Sequence, residues 1–555
     1  MTIGQRALVA GVLTLVVTAT PVGLAQIGPQ FYDDDPLLRE PETQDASNVQ
    51  EWDNILTYDL VQNLFVTPGD ARPIRAQNVN TIDEVPDSNW FTNRILARPL
   101  SLEEALRGPV TNPGPAPGPM TVLRAKPAGV TPGFIAQDSA GVTWFIQFDA
   151  PGFDDAASGA SMVANRIFHA LGYFQMEYHL TEIRSETLEI DPEAVTETPS
   201  GAIRQIDHDD LAKVFKRAAR QVNGAYRALA SRGVENTLGG FRYYGTRPDD
   251  PNDIIPHEHR RELRALKVFG AWTNLVDMKA GNTLDVLVSE GGLQLVQHYL
   301  QDVGSTFGTG ALAPREWDEG YEYLYEGSPT WKRLVSFGFY IRGWQTVPYA
   351  EHRSIGRFEG TSFDPETWKP RVPTTAILNA RADDTFWAAR RVMAFSDELI
   401  RGLVQVGEYR DPAAAQLLAD VLIARRDRIG EAYLPAINPI VDFALDPDDV
   451  LTFSNAAVEA GVAAAPGQGY RGEWYLFDNA TRVSTPIGEP TASATGRMES
   501  PAGLPADVGA FVRVDLSAVE PPNDSWSVPI QTYFRRTAQG WRLVGLERMP
   551  AEPPN

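Results

Sequence analysis

The segment 255–305 constrains the fold of this 555-residue chain more than any other, because four local patterns follow one another in it directly. The first is an amphipathic helix pattern over residues 255–277. It runs into the sequence Asp-x-Lys-x-x-Asn, formed by Asp277, Lys279 and Asn282. Asp, Lys, Gly and Asn all favour turns, so this motif alone is also compatible with an ordinary turn between a helix and a strand.

The flanking sequence favours a more specific interpretation. Residues 283–304 alternate apolar and polar side chains on both sides of Ser-Glu-Gly-Gly at 289–292, which predicts a β-hairpin. At the end of its second strand stand Asp302 and Gly304, in the pattern Asp-x-Gly. The expected order is therefore helix, polar loop, hairpin and second polar loop.

This order resembles the catalytic segment of the protein-kinase-like fold, in its atypical branches that include the HipA-type and CotH-type kinases. The resemblance covers residues 120–440. It implies an α+β fold class with two kinase-like lobes. An N-terminal extended arm and a small C-terminal β-domain lie outside the resemblance.

The resemblance also implies roles for individual side chains. Asp277 would act as the catalytic base and Lys279 would contact the γ-phosphate, since phosphoryl transfer needs a carboxylate near the acceptor hydroxyl and a cation on the phosphate. Asn282 and Asp302 would supply hard oxygen ligands for the metal. The implied cofactor is Mg²⁺ or Mn²⁺ with ATP, and the acceptor is a hydroxyl of a protein or of a small molecule.

The region before this segment has strand patterns over 120–149 and a helix pattern over 154–174, in the order that a nucleotide-covering lobe needs. The sequence 125–134 predicts a phosphate-covering hairpin in which Gly129 and Gly133 let the backbone approach the phosphates. A glycine-containing hairpin with no function is at least as common.

Two departures from the kinase pattern bear on activity. Kinase-like proteins carry a Lys on the strand before the helix, paired with a Glu on that helix. Here the strand position holds Gln147, and residues 156–176 contain no Asp or Glu. Lys126 on the neighbouring strand could replace the missing cation, or it could be a solvated side chain that covers the sheet.

Charge and composition narrow the partners and the compartment. The net charge of −23 excludes nucleic acid as the main partner and disfavours anionic membranes. Residues 1–25 predict a signal peptide, with Arg6 before an apolar run at 7–20 and small residues at 23–25. An N-terminal membrane anchor is the alternative for this run. No second such stretch follows, so the mature chain is expected to be exported without a transmembrane span.

Composition shifts divide the rest of the chain. We predict an arm and Pro/Gly linker at 26–118, an N-lobe-like β-rich region at 119–245, a C-lobe-like helical region at 246–445 and a C-terminal β-domain at 446–555. Two functions fit this organisation. One is an exported atypical kinase-like phosphotransferase or nucleotidyl transferase, and the other is a pseudokinase that acts as a binding scaffold at the cell envelope.

Overall fold

The computed structural model of the chain describes residues 28–52, 55–125, 131–197, 202–337 and 339–549. The predicted signal peptide at 1–25 and the candidate residues Lys126 and Gly129 lie outside these ranges. Within them, none of the helices combines the length and the apolar character that a membrane span requires.

A mixed sheet organises the first half of the molecule. Its strands are β1 (Met120–Ala125), β2 (Gly133–Gln137), β3 (Thr143–Phe148), β4 (Tyr178–Ile183), β5 (Leu188–Glu197), β6 (Ile203–Gln205) and β7 (Tyr226–Arg232). Among the described residues these seven strands have the order β4-β7-β3-β2-β1-β5-β6. β1 and β5 are parallel and the other neighbours are antiparallel.

The helices of this half precede, connect or cover the strands. They are α1 (Ile55–Phe65), α2 (Leu102–Arg107), α3 (Ala156–Leu171) and α4 (His208–Lys216). β3 alternates as a half-buried strand should, with Trp144, Ile146 and Phe148 in the core and Gln147 on the opposite face. α3 ends at Gly172, the stop signal that the sequence provides, where φ is 128°.

The central region is mainly helical and begins with the segment that constrains the fold. Its elements are α5 (Arg261–Thr273), β8 (Leu284–Glu290), β9 (Leu293–Tyr299), α6 (Gly327–Val335), α7 (Thr375–Leu378), α8 (Ala382–Met393), α9 (Asp397–Gln405) and α10 (Pro412–Tyr433). The predicted hairpin is confirmed, since β8 and β9 pair antiparallel around Gly291 and Gly292. Both glycines have positive φ, which a two-residue turn of this kind requires.

The C-terminal region is built from short strands. They are β10 (Ile440–Leu445), β11 (Val450–Asn455), β12 (Tyr470–Phe477), β13 (Ser484–Pro486), β14 (Thr491–Ser493), β15 (Arg497–Glu499), β16 (Phe511–Ala518), β17 (Ile530–Thr537) and β18 (Gly540–Glu547), with the short helix α11 (Ala456–Glu459) between β11 and β12. β10 pairs with β11, so the sheet begins at Ile440, slightly before the boundary expected at 446.

The arm is packed rather than loosely attached. Trp90 and Phe91 are buried in the same hydrophobic core as α5 and α8. The Pro/Gly segment that the composition marks as a linker is also held in place, because the Thr111 backbone N–H donates to Glu177 at 3.1 Å and Ala116 donates to Asp138 at 2.9 Å. It forms neither helix nor central strand, as its composition predicts.

Candidate active site

The loop after α5 places the first group of candidate residues. α5 ends where Asn274 adopts a left-handed conformation with φ of 54°, which frees the chain to turn before Asp277. Lys279 Nζ lies 3.0 Å from Asp277 Oδ2, and the Asn282 side-chain amide donates to the Asp277 carbonyl oxygen at 2.6 Å. These contacts brace the loop and use the amide nitrogen of Asn282, so its amide oxygen can act as a ligand.

The second loop lies directly beside the first. The Asp302 backbone N–H donates to the Asn282 carbonyl oxygen at 3.0 Å, and the Gly304 N–H donates to Asp302 Oδ1 at 3.0 Å. The hairpin of β8 and β9 therefore brings the two loops together across its open end. The Asp302 side chain is exposed to solvent.

Gly304 has a different role from the backbone turn expected from the sequence. It does not adopt a left-handed φ, but a Cβ atom at this position would lie only 2.5 Å from Ser161 Oγ. The missing side chain therefore allows α3 to approach the Asp-x-Gly loop closely.

Both loops open onto a cleft of about 430 Å³ between the N-terminal sheet, α3 and the central region. The side chains that line it are Thr131, Gln147, Ala157, Ser161, Asp277, Lys279, Asn282, Asp302, Gly304, Ser305, Thr309, Gly310, Ala311, Arg315 and Arg371. The structure thus brings Gln147 to the same cleft as the four polar residues of the two loops. The roles of these residues remain predictions.

Gly133 serves the sheet rather than the cleft. It pairs directly with Gln147, and a Cβ atom there would lie 2.1 Å from the Ile146 carbonyl oxygen. The close pairing of β2 and β3 thus accounts for this glycine, which is not among the described residues that line the cleft.

The face of α3 that lines the cleft carries Ala157 and Ser161. Residues four apart lie on one side of a helix, so this is the face on which an acidic partner for a strand Lys would stand. The described helix therefore offers no acidic side chain to the cleft, and the strand position that would pair with it holds Gln147.

Sequence reasoning missed two cations, Arg315 and Arg371, which lie at either end of an irregular region after the Asp-x-Gly loop. Arg315 Nη2 is 4.0 Å from Asp277 Oδ2, and Arg315 Nε is 3.4 Å from Glu319 Oε2. Arg371 Nη1 is 3.1 Å from Glu319 Oε1. No local pattern marks these residues, because they reach the cleft only through the path of the chain between them.

Burial and the neighbouring cations together set the pKa values of the Asp277 and Glu319 carboxyl groups. Burial alone would raise the pKa of Asp277, but the charges of Lys279 and Arg315 hold it below the ordinary value of 3.8. Burial raises the pKa of Glu319 above its ordinary value of 4.5, although Arg315 and Arg371 oppose the shift. Asp277 is therefore a carboxylate at neutral pH.

The oxygen ligands at the cleft suit a metal ion that is bound partly by the protein and partly by a nucleotide. They do not suit a metal ion that is bound by protein side chains alone. The described residues contain no cluster of three or more His, Asp or Glu side chains with metal-binding geometry. Asp302 and Asn282 instead offer one carboxylate and one amide oxygen at the cleft. Mg²⁺ bound with a nucleotide commonly takes one or two protein ligands and completes its shell with phosphate and water oxygens.

His298, on the strand before Asp302, belongs to the core. Its Nδ1 lies 2.7 Å from Asp285 Oδ1, and its ring stacks on Trp90 with centroids 3.5 Å apart. Both hydrogen bonding and packing of this side chain are thus accounted for without a ligand.

Among known proteins, the chain is similar in structure to a kinase, at low identity. No family model and no curated protein matches the chain. Two solved structures of kinases are among its structural neighbours. The crystal structure of the Golgi casein kinase is 11% identical, covering 72% of this chain and 93% of that chain, with a TM-score of 0.30. The Golgi casein kinase with Mn/ADP bound gives 11% identity, coverage of 71% and 93%, and the same TM-score of 0.30. A TM-score this low carries no argument, so the site stands on its own geometry.

Proposed function

We propose that the cleft binds a nucleotide together with Mg²⁺ or Mn²⁺, and that the protein is an atypical kinase-like phosphotransferase or nucleotidyl transferase acting on a hydroxyl acceptor. One observation carries the proposal. Asp277, Lys279, Asn282 and Asp302, which the sequence motifs select, line a single cleft together with Gln147 of β3. Along the chain, α5, the loop with Asp277, the β8–β9 hairpin and the loop with Asp302 follow one another in the order that a two-lobed kinase-like fold requires.

Each residue has a chemical task in this proposal. Asp277, ionised at neutral pH, accepts the proton of the acceptor hydroxyl. Asn282 and Asp302 hold the metal ion, which would neutralise charge on the phosphates when bound. Lys279, at 3.0 Å from Asp277, bridges this carboxylate and the transferred phosphate.

The distribution of charge predicts slow transfer. The cations that line the described cleft, Lys279, Arg315 and Arg371, all come from the central region. On the sheet side Gln147 can donate hydrogen bonds but supplies no charge. Phosphoryl transfer depends on positioned positive charge, so a missing cation could cost about a thousandfold in rate.

The second candidate function is a pseudokinase that acts as a binding scaffold at the cell envelope. Gln147 and the acid-free cleft face of α3 favour it, because both halves of the ion pair that aligns phosphates are absent there. The signal peptide predicted at 1–25 is the ground on which we propose export for either function.

Calorimetry of the protein with ATP and Mn²⁺ tests the proposal. We expect weak, metal-dependent binding that Asp302→Ala abolishes and that Asp507→Ala, at an exposed aspartate of the C-terminal region, leaves unchanged. Lys126→Ala in the same assay shows whether that residue supplies a phosphate contact.

A labelled-ATP transfer assay separates the two candidates. Binding with slow transfer that Asp277→Asn removes supports the enzyme. Binding without transfer supports the scaffold, and the absence of any metal-dependent binding contradicts both nucleotide proposals.

A further inference from the structure

The region between the Asp-x-Gly loop and α7 exposes a run of large apolar side chains outside the cleft. We define the apolar segment as residues 331–337 and 339–341, in which Trp331, Leu334, Val335, Phe337, Phe339 and Ile341 are exposed. Phe337 is 91% exposed and Phe339 is 86% exposed, so neither ring packs on the protein. Contiguous exposed apolar surface of this kind marks an interaction site in a soluble domain.

Hydrogen bonds fix the chain beside the exposed rings. The Tyr340 N–H donates to Ser336 Oγ at 2.9 Å, which closes the turn after α6. Arg342 bonds to Glu322, and Trp344 Nε1 donates to Glu322 Oε1 at 2.9 Å. Hydrogen bonds thus hold the chain after α6, while the Phe337 and Phe339 rings are exposed to solvent.

The local charge is opposite to that of the whole chain. Residues 327–350 contain Lys332, Arg333 and Arg342 and no Asp or Glu, although the net charge of the chain is −23. Lys332 and Arg333 are exposed, and the Lys332 ammonium lies 5.7 Å from the centroid of the Tyr340 ring. Glu326 and Glu351 bound this range, and Arg342 is bonded to Glu322, so Lys332 and Arg333 supply the positive charge of the segment.

We propose that the apolar segment docks the protein onto an anionic lipid surface. Phe337 and Phe339 enter the boundary between headgroups and acyl chains, while Lys332 and Arg333 meet the anionic headgroups. Screening at physiological salt weakens the repulsion between the headgroups and those acidic groups that lie more than about 10 Å away. Net charge alone, which disfavours anionic membranes, does not describe this surface.

The charge of the apolar segment and the exposure of its rings favour a lipid surface over a protein partner. Protein-binding hot spots occupy well-packed, desolvated centres of an interface and pair with pockets on the partner. Here the largest rings project almost fully into solvent beside basic side chains, which is the arrangement of interfacial membrane anchors.

Docking by this segment would also orient the cleft. The Leu324 N–H donates to the Arg371 carbonyl oxygen at 2.8 Å. The chain just before α6 is therefore bonded to a residue that lines the cleft. Phe65 of α1 packs on Tyr325 with ring centroids 5.4 Å apart, and both rings are partly exposed. The inference goes beyond the proposed nucleotide chemistry and does not depend on it.

Vesicle flotation tests the inference with the chain from Gln26 onward, which keeps every described element and omits the apolar run at 7–20. We expect it to float with phosphatidylcholine vesicles that contain about 30% phosphatidylglycerol, and not with phosphatidylcholine alone. Binding should weaken as salt rises. Phe337→Asp with Phe339→Asp, and separately Lys332→Gln with Arg333→Gln, should each reduce partitioning about tenfold.

The matched control is Val508→Asp, which adds a charge at an exposed apolar residue of the C-terminal region and should leave flotation unchanged. Circular dichroism confirms that all variants fold. Failure of the unmodified chain to float with anionic vesicles would overturn the inference, as would equal flotation of the double Phe variant. A dimer that the double Phe variant dissociates, with flotation unaltered, would assign the surface to a second copy of the chain instead.

Discussion

Single side chains decide how much positive charge the cleft offers to a polyphosphate. Arg315 and Arg371 both line it, and both pair with Glu319, whose pKa burial raises above its ordinary value. A ligand phosphate would compete with Glu319 for these guanidinium groups, which bind phosphate through paired N–H donors.

We therefore predict that Arg315→Gln and Arg371→Gln each weaken metal-dependent ATP binding about tenfold, the effect of losing one charge-assisted hydrogen bond. Gln147→Lys should strengthen it, because it restores a cation on the sheet side. Calorimetry measures all three, with Arg482→Gln as the control at an exposed arginine far along the chain. Unchanged binding in both arginine variants would show that the phosphates lie elsewhere.

The His257–Asp253 pair predicts a pH dependence of stability. Burial alone would lower the pKa of His257, but Asp253 Oδ2 at 2.7 Å from Nε2 raises it above the ordinary value of 6.5. Burial alone would raise the pKa of Asp253, but His257 and Arg260 lower it to about 2. The raised pKa of His257 contributes stability that is present at low pH and is lost as the pH rises. The lowered pKa of Asp253 contributes stability that is present at high pH and is lost as the pH falls.

Both contributions are present together between about pH 4 and pH 6.5. The difference in unfolding free energy between the parent chain and Asp253→Asn should be largest in this window and should shrink on either side. Urea unfolding at a series of pH values measures it. A difference that is constant from pH 4 to pH 9 would contradict the assignment.

The sequence predicted the loop residues of the site but not the arginines, and the reason is physical. Asp277, Lys279 and Asn282 occur within one turn, so their spacing is visible locally. Arg315 and Arg371 meet only because Arg371 donates its N–H to the Val276 carbonyl oxygen and so returns the chain to the cleft. Such long-range contacts leave no periodic signal.

Element boundaries followed capping signals more than hydrophobic periodicity. The pattern over 383–404 suggests one helix, but the chain forms α8 and α9, because the Ser396 side chain accepts from the Leu399 N–H and starts a new helix. The helix pattern over 255–277 is also longer than α5. A 3₁₀ turn at His257–His259 precedes α5, and left-handed Asn274 ends it.

The end of α3 provides a test at this scale. Gly172 has φ of 128°, and a Cβ atom there would lie 2.3 Å from the Phe91 ring and 2.8 Å from the Thr92 carbonyl oxygen. Gly172→Ala should cost about 2–4 kcal/mol of stability, from backbone strain and from overpacking of the arm. Gly141→Ala is the control, since Gly141 has φ of 82° but nothing within 4 Å of the added Cβ atom.

Chemical denaturation of the two variants measures the difference. The control should lose only the cost of the strained φ, about 1–2 kcal/mol. Equal losses for both glycines would mean that the arm yields without cost and does not fix the end of α3.

At the scale of the whole molecule, the arm, the central helices and the C-terminal strands share one hydrophobic core. Phe91 of the arm, Trp272 of α5 and Trp474 of β12 belong to the same buried cluster. Buried charge reinforces the connection, because Arg261 of α5 bonds both to Asp83 of the arm at 2.9 Å and to Asp384 of α8 at 3.0 Å. The C-terminal β-domain that composition separates at 446 is therefore continuous with the helical region in its packing.

The N-terminal end of the arm tests how far this continuity extends. Phe31 packs among Phe477, Phe511, Tyr533 and Val544 of the C-terminal sheet. Its backbone N–H donates to Asn479 Oδ1 at 2.8 Å, and the Asn479 amide donates back to the Phe31 carbonyl oxygen at 2.8 Å. A Cβ atom on Gly545 would lie 2.4 Å from the Phe31 ring, so β18 also requires a glycine to admit this side chain.

We predict that Phe31→Ala costs about 3–5 kcal/mol, because it removes a buried aromatic ring, and that the melting temperature of the entire molecule falls with it. Tyr32→Ala, at the exposed neighbouring residue, should have almost no effect. Differential scanning calorimetry should show a single transition in the parent chain and in both variants, with equal calorimetric and van't Hoff enthalpies. If Phe31→Ala instead shows a separate transition of the C-terminal strands at lower temperature, that region unfolds as a separate domain. The arm would then stabilise only that domain.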